Sequence, residues 1–185
     1  GVLVLTDYAN VSSDTLATTY FVKHNNISCK VYASDGHNIS SAITSAYLDV
    51  SNSPPTFTST TLLPDPSYKS STFNCIINGR QDIDGDAMTN YFIFKNASNI
   101  LQSSTSSTLD CLTNSNCVKG TTITCDGYVY DGESNSSIQS DTSSVLNTIP
   151  EAQSVIITPY TPFNTSDLTC NYNYYDVDND TQSAV

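Results

Sequence analysis

The sequence contains no tryptophan, one methionine, two histidines and only six basic residues, and its acidic residues are 16 Asp but just 2 Glu. Six Lys and Arg against 18 Asp and Glu leave a formal charge of −12. The electrostatic attraction that drives binding to nucleic acid or anionic lipid is therefore replaced by repulsion, and neither partner is expected. No wholly apolar run exceeds Val2–Leu5, far short of the roughly 20 residues that span a bilayer as a helix. A charged-then-apolar leader is also missing, which reads as a mature chain or an excised piece. There is no C-x-x-C pair, no cysteine beside His24 or His37, and no glycine-rich phosphate loop, so zinc and nucleotide chemistry have no ligand set to start from. Paired carboxylates can run glycoside hydrolysis, but 16 scattered Asp residues form pairs trivially, and no enzyme is expected. What fills the chain instead is Ser and Thr, 52 of 185 residues, together with 18 Asn. These side chains bond to nearby backbone and favour strands, caps and turns over helix interiors. An all-β protein follows.

The chain repeats itself. Ile27-Ser28-Cys29 through Ser34-Asp35-Gly36 reads against Ile123-Thr124-Cys125 through Tyr130-Asp131-Gly132, an offset of 96 residues that also carries Val22-Lys23 onto Val118-Lys119. A second pattern recurs in the other half-phase: Phe73-Asn74-Cys75 matches Leu168-Thr169-Cys170, and each is followed by an acidic cluster, Asp82-Ile83-Asp84-Gly85-Asp86 or Asp176-Val177-Asp178-Asn179-Asp180. A period near 95 residues with alternating strands fits an immunoglobulin-like sandwich. Strands are expected at Thr56–Leu63, Ser71–Asn78, Thr89–Lys95, Thr121–Tyr130 and Ser137–Leu146, with weaker ones between Ser98 and Leu109. Breaks at Asn52-Ser-Pro-Pro55 and Thr148-Ile-Pro150 divide the chain into 1–52, the C-terminal half of a sandwich, 53–148, a complete one, and 149–185, the N-terminal half of the next. Residues 149–185 of one unit and 1–52 of the adjacent unit would together make a second sandwich, with Val2–Leu5 as a central strand.

Six cysteines without metal spacing read as a disulfide framework in an oxidising compartment. Cys75 and Cys125 alternate onto inward strand faces 50 residues apart, and their closure is worth roughly 4 kcal/mol. Cys111 and Cys117 close a seven-residue loop worth roughly 2 kcal/mol. That leaves Cys29 and Cys170, which by phase belong to different copies, so Cys170 is expected to pair with Cys29 of the next unit.

Seven Asn-x-Ser/Thr sequons, at Asn10, Asn26, Asn38, Asn96, Asn135, Asn164 and Asn179, suit glycosylation of a secreted protein. The clusters Asp82, Asp84, Asp86 and Asp176, Asp178, Asp180 offer hard oxygen ligands at alternate positions, the chemistry calcium requires. They lack the distal Glu of an EF-hand, and the competing expectation is a solvated turn between the second and third strands. In Asn171-Tyr-Asn-Tyr-Tyr175, Tyr172 and Tyr174 share the Cys170 face and are expected in the core, leaving Tyr175 as the residue that could stack on a sugar.

The order of Ser53-Pro-Pro55, Asp82-x-Asp-Gly-Asp86 after the first strand cysteine, Thr124-Cys125 with Tyr130-Asp-Gly132 after the second, and sequons in the loops resembles the tandem immunoglobulin-like or PKD-like repeats of prokaryotic, especially archaeal, surface proteins. The phase of the repeat resembles the protomer of a glycosylated extracellular fibril. The resemblance covers essentially the whole chain. It implies tandem immunoglobulin-like β-sandwiches in an extracellular filament or cell-surface stalk, partnered end to end by copies of itself. No catalytic role comes with it, and no cofactor is required beyond covalent glycans, with calcium as the candidate ion. An adhesin or carbohydrate-binding module is the competing expectation.

Overall fold

Residues 13–183 are described by the computed structural model. Among them the one helical turn is a 3-10 turn at Thr18–Tyr20, and the chain is all-β. Four short strands come first: β1 (Asn26–Ile27), β2 (Lys30–Val31), β3 (Ile43–Thr44) and β4 (Leu48–Asp49). Eight follow in the middle: β5 (Ser59–Leu63), β6 (Ser67–Tyr68), β7 (Thr72–Asn78), β8 (Thr89–Asn96), β9 (Asn99–Ser104), β10 (Thr108–Asp110), β11 (Thr122–Tyr130) and β12 (Gln139–Leu146). A last pair, β13 (Glu151–Thr158) and β14 (Thr169–Tyr175), ends the order.

Strands β5 to β12 close an immunoglobulin-like sandwich of two sheets, β10-β7-β5 against β6-β12-β11-β8-β9. Period-2 alternation decides which side chains enter. Along β7, Phe73 and Cys75 turn in while Asn74 and Ile76 turn out; β8 contributes Phe92 and Phe94, and β11 contributes Ile123, Cys125 and Val129. Leu62, Leu109 and Val145 complete the apolar layer. The sheets are joined across it by the Cys75–Cys125 disulfide, with Cα atoms 6.4 Å apart. The second bridge, Cys111–Cys117, closes the small loop after β10. Lys69 Nζ pins that loop by donating to Cys111 O at 2.8 Å and Asn114 O at 2.7 Å.

Two features differ from the sequence expectation. The first strand starts at Ser59, Thr56 forming only an isolated bridge to Gln81. Strand β6 was not expected at all: it is two residues long, pairs parallel to β12, and is held by Ser67 Oγ donating to Ser144 O at 3.1 Å. A strand so short and polar carries no alternation to read. Val2–Leu5, the expected central strand of the split sandwich, lies outside the described residues.

Candidate functional site

Each end of the described chain is an open hairpin that repeats one strand pair of the complete sandwich, β1–β4 with β2–β3 repeating β11–β12 and β13–β14 repeating β5–β7. Lys30 pairs with Thr44 and Ile27 with Leu48, as Asp126 pairs with Ser140 and Ile123 with Ser143. The bridge Ser34–Ile39 repeats Tyr130–Asn135, and Ala33 N donates to Ser40 Oγ at 2.9 Å as Val129 N does to Ser136 Oγ at 2.9 Å. Even the tight turn before the first strand recurs: His24 takes a φ of 63° where Gly120 has 77°, and each amide donates across the hairpin at 2.8 Å, to Val50 O and Val145 O. At the other end, Ile157 pairs with Cys170 and Thr158 with Thr169, matching Leu62 with Cys75 and Leu63 with Asn74.

The geometry repeats but the burial does not. Leu62 and Phe73 are 1% and 0% exposed, whereas their counterparts Ile157 and Leu168 are 56% and 59% exposed. Cys75 and Cys125 are buried and bonded, while Cys170 and Cys29 are exposed and free. On the first hairpin Ala33 is exposed where Val129 is buried, and Ile27 is half-buried where Ile123 is fully buried. Tyr172, expected in the core with Tyr174, is exposed, as is Tyr175; Tyr174 is half-buried. The face that Tyr172 and Tyr174 share with Cys170 has no second sheet among the described residues.

Between units the chain builds two similar junctions. In the first, Lys23, from the turn before β1, ion-pairs with Asp86 and, at 2.8 Å, with Glu133. Its ammonium also donates to Asn52 Oδ1 at 3.2 Å, and Asn52 Nδ2 passes the chain on to Asp131 Oδ2 at 2.8 Å. Asp84 Oδ2 accepts from Ser53 N at 2.7 Å, and Asp82 Oδ1 caps its own loop by accepting from Asp84 N at 2.9 Å. The second junction repeats this: Lys119 ion-pairs with Asp180 and donates to Asn147 Oδ1 at 3.2 Å. Asp178 Oδ2 accepts from Thr148 N at 2.6 Å, and Asp176 Oδ1 accepts from Asp178 N at 2.7 Å. The acidic clusters thus serve as linker caps and lysine receptors. Sequence reasoning missed these lysines and asparagines, although the recurrence of Val22-Lys23 as Val118-Lys119 was the available signal.

The hydrogen bonds that Lys23 donates to Asp86 and then to Glu133 raise the Lys23 pKa, and the Lys23 and His24 partners lower that of Glu133; His24 Nε2 lies 2.9 Å from Glu133 Oε1. Burial pushes the Asp131 carboxyl up, but the amides of Ser134 and Glu133 and the Asn52 side chain outweigh it, leaving a pKa of about 2. Because this lies below the ordinary value of 3.8, Asp131 stabilises the folded junction fully above about pH 4 and loses that contribution as pH falls toward 2. Asn52→Ala is expected to raise the Asp131 pKa and narrow that window, as read from the carboxyl carbon shift in an NMR titration. An unchanged titration would remove Asn52 from the network.

Carboxylate oxygens of Asp82, Asp84 and Asp86 lie within 4.8 Å of one another, and Asp82 Oδ2 is buried without a partner. Three such oxygens suit a divalent ion only in part, since calcium takes six to eight ligands, and the Lys23 ammonium already meets Asp86. EDTA is therefore expected to leave the thermal midpoint unchanged by circular dichroism. A drop of several degrees would give an ion a structural part.

Of the sequons, Asn26, Asn38, Asn135, Asn164 and Asn179 are exposed. Asn96 is half-buried and its Nδ2 donates to Asn116 O at 2.7 Å, a bond that a glycan on that nitrogen would have to displace. Asn10 lies outside the described residues.

No family model and no curated protein matches the chain. Among solved structures it is similar to the crystal structure of the rat CD45 extracellular region, domains d3-d4, at 13% sequence identity over 78% of this chain and 76% of that one, with a TM-score of 0.45.

Proposed function

We propose that this chain is a structural protomer or repeat segment of an extracellular glycosylated filament or cell-surface stalk, in which neighbouring units complete one another's sandwiches end to end. The observation that carries this reading is the contrast in burial: residues that form the core of the complete sandwich have exposed counterparts at the same register on both end hairpins. Large apolar side chains such as Ile157 and Leu168 gain about 1.5–3 kcal/mol each when fully buried, so completion by a matching half is the favourable fate of both faces. It is a form of strand complementation, one unit supplying the sheet another lacks, and it covers strand edges that would otherwise invite unspecific pairing.

Disulfides suit an oxidising, extracellular setting, and the exposed sequons suit a glycan coat. No catalytic role is proposed: His24 is engaged by Glu133, and among the described residues His37 joins no metal-ligating cluster. Electron microscopy of the native material tests the reading. Unbranched filaments or stalks with a repeating bead are the expected image; isolated monomers throughout would overturn it.

A further inference from the structure

The two junctions differ in one place. In the first, Asn52 Nδ2 donates to Asp131 on the loop between β11 and β12. In the second, its counterpart Asn147 turns Nδ2 onto the neighbouring Thr148 O at 2.9 Å, and Thr148 Oγ1 and Asp178 Oδ1 are buried without partners. The element missing from the second junction is the equivalent of the Asp131 loop, and by the 96-residue offset that element is the loop Asp35–Asn38.

That loop is already built in the required form. Asp35 Oδ1 accepts from His37 N at 2.9 Å and Asn38 N at 2.7 Å, as Asp131 Oδ1 accepts from Glu133 N at 2.7 Å and Ser134 N at 2.6 Å. The amides of Asn38 and then His37 hold the Asp35 carboxyl below its ordinary range, so it is charged and ready to accept. Its other oxygen corresponds to the one that receives Asn52. Asp131 is buried where Asp35 is exposed, the same contrast that marks the hairpin faces.

We propose that the loop Asp35–Asn38 of a second copy of this chain closes the second junction, its Asp35 carboxylate accepting a hydrogen bond from Asn147 Nδ2. This rests on the split-sandwich reading and adds to it a polar pin outside the apolar core. The pin fixes which hairpin end meets which linker. It also distinguishes the two junctions, because His37 stands where Glu133 does and Gly120 where His24 does, so the acid that Lys23 and His24 share has no counterpart in the second one.

The test uses the full chain under reducing conditions, so that sedimentation reads non-covalent end-to-end association. Asn147→Asp sets two carboxylates against each other and is expected to raise the concentration needed for association about tenfold, the scale of a lost charge-assisted hydrogen bond. Adding Asp35→Asn restores a donor and acceptor in reversed roles and is expected to recover most of that loss, with the melting of the complete sandwich unchanged in all variants. Peptide mapping of oxidised wild-type protein for a Cys29–Cys170 link between chains separates the two levels of the reading. If the link forms but Asn147→Asp associates like wild type, or Asp35→Asn gives no rescue, the pin is wrong and the split sandwich stands. If no link and no association occur, both fall.

Discussion

Cys170→Ser is expected to turn a ladder of disulfide-linked multimers on a non-reducing denaturing gel into a single band near one protomer plus its glycans, and Cys29→Ser is expected to do the same. Each cysteine occupies the register of a bonded one: Cys170 stands opposite Ile157 as Cys75 stands opposite Leu62, and Cys29 lies 96 residues before Cys125. Both are free and exposed. Completing the sandwich would bring them to the separation seen in the intact unit, where the Cα atoms are 6.4 Å apart, within bridging range. The serine variants should still associate in native buffer, because apolar burial and not the bridge drives completion. Fragments linking Cys29 to Cys170 recovered from a monomeric band would place the bridge inside one chain and defeat the expectation. A giant species that survives reduction of the wild type would mean that successive units are continuous polypeptide.

Replacing both Cys75 and Cys125 by alanine is expected to cost about 4 kcal/mol through the freed denatured chain, a large share of the 5–15 kcal/mol typical of a domain. At a slope of about 2 kcal/mol per molar urea, the midpoint should fall by about 2 M. The slope itself should rise, since an uncrosslinked denatured state exposes more surface. Losing the Cys111–Cys117 bridge should matter less, about 2 kcal/mol for so short a loop, and Lys69 would still hold the loop through its two carbonyl bonds. A double alanine variant with an unmoved midpoint would mean that packing around Phe73 and Phe94 supplies what the bridge was credited with.

The longer strands and the two bridges within the complete sandwich were legible because they rest on short-range alternation and on a repeat that places matching residues at one offset, whereas the two-residue β6 has no alternation to show it. Phe73 and Cys75 announce an inward face on their own. The junctions were not legible, because their contacts join residues distant in sequence: Lys23 meets Asp86 across 63 positions, and Asn52 meets Asp131 across 79. A run of alternate aspartates read alone suggests a cation, and only the folded chain brings a lysine to it. Asn96 carries a similar lesson, since its sequon is intact but its amide is engaged by a carbonyl 20 residues away. Tyr172 shares the Cys170 face as expected, but whether that face is core depends on a sheet that the described residues do not contain.

The basic side chains have a consequence of another kind. Proteases of trypsin type cut after Lys or Arg, and this chain has six such residues. Lys23, Lys95 and Lys119 are held in ion pairs, Lys69 is bound to two carbonyls, Arg80 reaches Asn90, and Lys30 lies over the Tyr32 ring. Cleavage needs an extended segment drawn out of the fold, and local opening must first break those contacts. With so few targets, each in contact with the rest of the fold, cleavage of this chain by a trypsin-type protease would be slow, its rate following the population of locally opened states around these six residues when opening and closing outpace cleavage.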